Sequence, residues 1–221
     1  MPRIITPCIV AEFRRRLCAA ASELLAEKGL EGFNMREVAK RLRVSPMTTY
    51  RYFRDKDDIL SELRTAAFAR LSERLQAAGT LTSSPNEATM ALARAYCAFA
   101  QAEPTHYRLM FDMFQTNASP GPSTQDFLFR AGIHEQIALL VSMGVIDGDP
   151  DVLARVFWST LHGVTALHLA QRISSDDIDS VLCDAVAGFL RCDRSALSFF
   201  PIAMGETAGV EAETAMAAAA A

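Results

Sequence analysis

The sequence predicts an all-α fold in two parts, a small N-terminal bundle and a larger helical domain, joined by one long helix. Three observations carry that expectation. Apolar residues recur at helical spacing through every long segment. Capping residues and helix breakers bracket those segments. The chain has 221 residues, half of them apolar, enough to bury the cores of one small and one medium domain.

Phe13, Leu17, Ala20, Leu24 and Leu25 form the buried stripe of a first helix, which Gly29 ends as a C′ residue. Asn34 opens the second: its side-chain oxygen can accept from the free N–H groups of the first turn while Glu37 reaches back, a capping box with Asn in the Ser/Thr place. Met35, Val38, Ala39 and Leu42 then face the core and leave Arg36, Lys40 and Arg41 toward solvent. After a turn at Arg43-Val44, Ser45 is an N-cap and Pro46 fits the first helical position, where its missing N–H costs nothing. A short third helix is expected from about Pro46 to Phe53. Asp55 caps the fourth, whose stripe of Ile59, Leu60, Leu63 and Ala67 continues to about Ala78 before the loop GTLTSSPN.

Further helices are expected at about 85–102, 107–114, 125–142, 151–172 and 176–190. Glu103-Pro104 stops the first of these, and QTNASPGPST and GVIDGDPD are loops. The tail from Met204, ending AMAAAAA, is of low complexity and expected to be unfolded. The resulting division is a bundle over 1–65, a helical domain over 66–203 and a tail over 204–221.

The chemistry concentrates in residues 34–56, NMREVAKRLRVSPMTTYRYFRDK, where a helix, a tight turn and a second helix gather basic and aromatic side chains. That is the pattern of a DNA-binding helix-turn-helix. Met47, Thr48, Tyr50 and Arg51 occupy the part of the second helix that enters a major groove, where Arg reads guanine and Thr or Met can touch a thymine methyl. Tyr52, Arg54 and Lys56 follow, placed for phosphates rather than bases. A purely structural role as aromatic core and solvated charge is favoured for Phe53, and DNA contact for Tyr50 and Lys56.

Charge agrees once it is divided along the chain. The formal net charge is −4, yet residues 1–65 carry a net +4 and the remainder −8. Positive potential gathers where the motif lies. The five cysteines are scattered, without CxxC pairs or a zinc-finger His spacing, which fits a reducing cytoplasm and argues against structural metal. No apolar run approaches the roughly 20 residues of a membrane span. No GxSxG, P-loop or GxGxxG points to an enzyme, and no cofactor is expected.

Residues 9–64, above all AASELLAEKGLEGFNMREVAKRLRVSPMTTYRYFRDKDDIL, resemble the N-terminal domain of the TetR/AcrR family of bacterial transcriptional regulators. The resemblance implies three helices, a long fourth helix leading into a C-terminal helical ligand-binding and dimerisation domain, and a homodimer acting on double-stranded operator DNA, usually as a repressor. It implies base contact by Arg36, recognition-helix contacts by Pro46, Met47, Thr48 and Tyr50, and backbone contacts by Tyr52 and Lys56; Ser45 and Arg51 complete the DNA-binding set. Arg43 departs from the family, which usually has Gly there. Either the turn tolerates a side chain or that arginine points at DNA.

The last two long helices are rich in apolar and small residues, so each must bury more than one face. A dimer four-helix bundle uses the second face, and the resemblance implies the same. Tyr96, Phe99, Tyr107, Met110, Phe111, Phe114, Phe127 and Trp158 could line an apolar pocket for a small hydrophobic ligand, oriented by a polar group such as His162. Taken singly, each is the more ordinary core residue. YCAFAQAEPTHYRLMF and WSTLHGVTALHLA resemble a C-terminal subclass of the family marked by a His-Gly pair, here His162-Gly163. His162 either hydrogen-bonds within the core, with Gly163 allowing close packing, or meets the ligand.

Overall fold

A computed structural model describes residues 7–80, 82, 84–111 and 124–197, without the side chains of 124–126. Every regular element among the described residues is a helix. The elements are α1 Pro7–Gly32, α2 Met35–Arg41, α3 Pro46–Thr49, α4 Lys56–Gly79, α5 Pro85–Ala102, α6 Pro104–Phe111, α7 Thr124–Ser142, α8 Pro150–Leu169 and α9 Ile178–Leu190, then a short 3₁₀ turn at Arg194–Ala196. The tail and Phe114 lie outside the described residues.

Several local expectations are met by the atoms that motivated them. Gly29 takes φ 67°, breaking α1 one turn before Gly32. Asn34 Oδ1 accepts from Glu37 N–H at 2.9 Å, Ser45 Oγ from Met47 N–H at 3.3 Å and Asp55 Oδ1 from Asp58 N–H at 2.8 Å. The capping box at Asn34 is only half made, because the Glu37 carboxylate pairs with Lys28 at 3.3 Å instead of reaching back.

Other boundaries differ for identifiable reasons. The third helix stops at Thr49, not Phe53: Thr49 Oγ1 donates to the Pro46 carbonyl at 2.7 Å, and the chain continues in tightened turns, with Arg51 N–H on Thr48 O and Tyr52 N–H on Thr49 O. A hydroxyl competing for a helical carbonyl ends a short helix. Pro104 not only stops α5 but opens α6, three residues before the expected start. The eighth helix ends at Leu169 rather than Arg172 because Gln171 turns left-handed, φ 57°, with Arg172 N–H returning to Leu167 O at 2.8 Å. Arg43 and Arg191, at φ 54° and 52°, close α2 and α9 the same way, with Val44 N–H on Ala39 O and Cys192 N–H on Ala187 O. All three are Schellman closures with a side chain where glycine would be unstrained.

Two cores share α4. Its first half, with Ile59, Leu60 and Leu63, packs on Leu17, Leu24, Leu25, Val38 and Phe53. Its second half, from Ala67, joins a larger core of α5 to α9. Helix α6 also divides: Tyr107 and Met110 belong to the large core, whereas Leu109, fully buried, belongs to the small one. Phe13, expected inside, is half-buried and packs at a tilt against Tyr52 with ring centroids 4.7 Å apart.

Candidate nucleic-acid interface and regulatory core

On α2, the turn and α3, the fold separates neutralised charges from open ones. Arg41 pairs with Glu27 and with Glu23, Arg14 with Glu62 at 3.0 Å, and Lys28 with Glu37. Arg36, Lys40, Arg43 and Arg51 are exposed, and none is in an ion pair or side-chain hydrogen bond among the described residues. Beside them, Met47 is 71% and Tyr50 46% exposed, unusual for side chains of their size. Ser45 and Pro46 are exposed and Thr48 is partly so, whereas Thr49 and Phe53 are buried and hold the helix to the bundle. Tyr52 and Lys56 are half-buried at the edge of this face. The Tyr52 carbonyl accepts from Arg14 at 2.6 Å, and Lys56 Nζ donates to the Leu30 carbonyl at 2.9 Å, near the Phe33 ring. One of three ammonium protons is thereby used.

The aromatic residues of the second half do come together, but as a filled cluster. Trp158 Nε1–H, which can only donate, reaches Tyr96 Oη at 3.4 Å. Tyr96 and Tyr107 hydroxyls lie 3.1 Å apart, and Tyr107 Oη is 2.7 Å from His162 Nδ1. Tyr96 Oη also lies 3.3 Å from His162 Nδ1, so the two hydroxyls and the imidazole form one polar cluster that Trp158 Nε1–H joins as a donor. Burial pushes both phenols up and the imidazole down, which keeps all of them neutral. Phe111 and Phe129 pack around it, with Phe111 4.9 Å from the His162 ring and Phe129 6.0 Å from Trp158.

His162 thus bonds inside the core. Gly163, by contrast, is exposed, and a Cβ there would meet no atom within 4 Å among the described residues, so close helix packing at this position is not seen there. Phe99 and Met110 are buried in the same core, but Phe99 lies under the Arg74 guanidinium, 5.1 Å from its ring centre, away from the hydroxyl chain. Phe127 is 64% exposed. Sequence reasoning missed two rings of the cluster, Phe68 and Phe129, and for Phe129 a signal was available: Phe129, Ile133, Ile137 and Leu140 follow helical spacing, which Phe127 does not share.

Two grooves flank α7. One, of about 440 Å³, lies between α7 and α8 beside Trp158; the other, of about 410 Å³, lies between α7 and the second half of α4. Neither is lined by Tyr96, Tyr107 or His162.

Helix α6 ties this core to the DNA-facing bundle. Next to Tyr107, His106 turns the opposite way, its Nε2 2.8 Å from Ser22 Oγ on α1. Burial, then the nearby Arg70, pushes its pKa down against the pull of Glu103. Arg64 of α4 donates to the Leu109 carbonyl at 3.0 Å, and Glu103 receives Arg70 at 2.6 Å and Arg74 at 2.9 Å. No described helix is long and apolar enough to cross a membrane.

Comparison with known proteins places these features. Residues 17–63 match the model of bacterial regulatory proteins of the tetR family, and residues 89–189 that of the tetracyclin repressor-like C-terminal domain. The HTH-type transcriptional regulator HbdR of Aromatoleum sp. (strain CIB) is 37% identical over 57 residues, 26% of this chain and 25% of that protein. The match thus spans a quarter of that relative. Among solved structures, a Rhodococcus sp. RHA1 protein of unknown function is 28% identical with a TM-score of 0.72, over 80% of this chain and 93% of the other. A TetR-family transcriptional regulator from Pectobacterium atrosepticum is 24% identical with a TM-score of 0.66, over 88% and 98%. With both halves matched and the helices in the corresponding order, the chain belongs to the TetR family of bacterial transcriptional regulators.

Proposed function

We propose that the protein is a ligand-responsive repressor that binds a palindromic operator as a homodimer. The observation that carries the DNA-binding part is the open basic and aromatic face of α2 and α3, set against Arg14, Lys28 and Arg41, which pair with carboxylates. Arg36, Met47, Thr48, Tyr50 and Arg51 contact bases, and Ser45, Pro46, Tyr52 and Lys56 contact the backbone. Two such faces in a dimer enter successive major grooves about 34–36 Å apart.

Helices α8 and α9 supply the dimer contact. Val152, Val156, Gly163 and Leu167 form an exposed line along α8, apolar or without a side chain, which a second copy would cover. Ligand control rests on α6, whose adjacent His106 and Tyr107 join α1 to the aromatic core. A ligand that prefers one placement of α6 shifts DNA affinity by its differential affinity for the two states, typically about 1–3 kcal/mol.

Selection of genomic fragments by the purified full-length protein near physiological salt tests the reading. Specific and non-specific binding differ there by about 10³ or more. Recovery of a palindrome is the expected result; enrichment without a consensus, unchanged when cell extract is added, would overturn it.

A further inference from the structure

The operator reading above gives Arg36 and Arg51 to bases and Lys56 to the DNA backbone, and leaves two open cations of the same face without a role. We propose that Lys40 and Arg43 form a phosphate-binding site on the wall of the groove that α3 enters, an inference that rests on that reading. The ligand is the phosphodiester backbone of duplex DNA, whatever its sequence.

Folding accounts for neither side chain. Arg36 and Lys40 are like charges four residues apart on α2, a spacing at which they repel. Arg43 holds φ 54°, left-handed backbone that strains any residue carrying a Cβ. Nothing within the protomer offsets these costs: Lys40 and Arg43 are exposed, without an ion pair or side-chain hydrogen bond among the described residues. Carboxylates are at hand, but Glu23 and Glu27 face Arg41, Glu37 faces Lys28 and Glu62 faces Arg14. Arg41 and Arg43, two residues apart, are thus treated in opposite ways, one neutralised against α1 and the other left open. Local features that oppose folding point to a use outside it. The same backbone recurs at Gln171 and Arg191, yet Gln171 is uncharged and Arg191 has Asp193 two residues on. Only at Arg43 does the strained turn continue a row of like charge.

Placement supplies the use. In a helix-turn-helix the first helix crosses the DNA backbone while the second enters the major groove. Lys40 is in the last turn of α2, Arg43 is in the connecting turn, and the N-cap of α3, Ser45, follows two residues later. This is the segment that meets phosphates beside the groove rather than base edges within it. The chemistry suits that partner: an ammonium is a point charge with three donors, and a guanidinium is a fork that fits two phosphate oxygens.

The salt dependence of DNA binding by the full-length protein tests the site. The probes are the palindrome recovered by selection and a random-sequence duplex of equal length. Arg43→Gln and Lys40→Gln should each lower the slope of log affinity against log salt by about one unit per protomer. Each should also weaken both duplexes by the same factor, because a phosphate contact carries no sequence information. Arg43→Lys should keep the slope. Arg43→Gln retains a side chain in the left-handed turn, so only charge is removed, and an unchanged Tm verifies the fold. As a reference, Arg155→Gln takes the same charge from the exposed face of α8, which packs on α5, α7 and α9, and should leave the slope as it is.

A slope unchanged in either variant, a loss confined to the palindrome, or an equal fall in Arg155→Gln would overturn the site. A palindrome bound with a slope indifferent to both substitutions removes the phosphate site and leaves the operator reading standing. Binding of both duplexes alike, with a slope that falls in both variants, keeps the site and removes the operator reading. No binding to either duplex overturns both.

Discussion

The N-terminal bundle and the C-terminal helical region treat their polar side chains in opposite ways. In the bundle, Arg36, Lys40, Arg43 and Arg51 are held outward without an ionic partner, beside an exposed Met47 and Tyr50. In the C-terminal region, Tyr96, Tyr107, Trp158 and His162 satisfy one another inside the core. The lesson is that a surface for a large charged partner is built from what folding leaves unused, whereas polar groups that folding has already paired make a poor binding surface and a good conduit.

The largest expected effect breaks the C-terminal side of this contrast. Tyr96 is fully buried, and Tyr96→Ala should cost about 3–5 kcal/mol in denaturant unfolding. A cost below about 1 kcal/mol would mean the cluster is a loosely filled pocket after all. Next in size, Arg36→Ala should lose about 1–3 kcal/mol of operator affinity and relax sequence preference, with no change in stability, because the side chain is exposed and free of ion pairs. Lys56→Ala should instead weaken all sequences and lower the salt slope by about one unit. It should also cost some stability, since Leu30 loses its donor.

Arg43→Gly sharpens the comparison because stability and binding should move in opposite directions. Relief of the left-handed backbone at φ 54° should stabilise the fold by about 1 kcal/mol, read as a higher Tm. Loss of an unpaired charge at the DNA face should lower the salt slope. A slope left unchanged would show that the turn merely tolerates the side chain.

The smallest effect is a pH dependence. Burial holds His106 and His162 below the ordinary value of 6.5. Below pH 6.5 the unfolded chain therefore takes up protons that the folded chain refuses, so stability should fall as pH drops and level off once the folded pKa is passed. Thermal unfolding between pH 7.5 and 5 should show a shallower fall in a variant with both residues replaced by Asn.

The helix order and the exposed basic face of α2 and α3 were legible because they rest on local signals: Asn34, Ser45-Pro46 and Asp55 announce helix starts, and the charge of the motif is written in consecutive residues. What the sequence obscured depends on partners far along the chain. Phe127 and Phe129 are two residues apart and alike in composition, yet opposite in burial, and only the stripe running on to Leu140 distinguishes them. Glu37 has a local role available and takes a distant one with Lys28. The pairing of Ser22 with His106 across 84 positions has no periodicity to reveal it.

Leu109 also fixes an order of events during synthesis. It fills the small N-terminal core from a position 46 residues beyond Leu63, the last core residue that α4 contributes there. A ribosome adding roughly 5–20 residues per second needs roughly 2–10 s to cover that interval. Until α6 has emerged, the nascent N-terminal bundle carries a leucine-sized hole, and its completion waits on the C-terminal half of the chain.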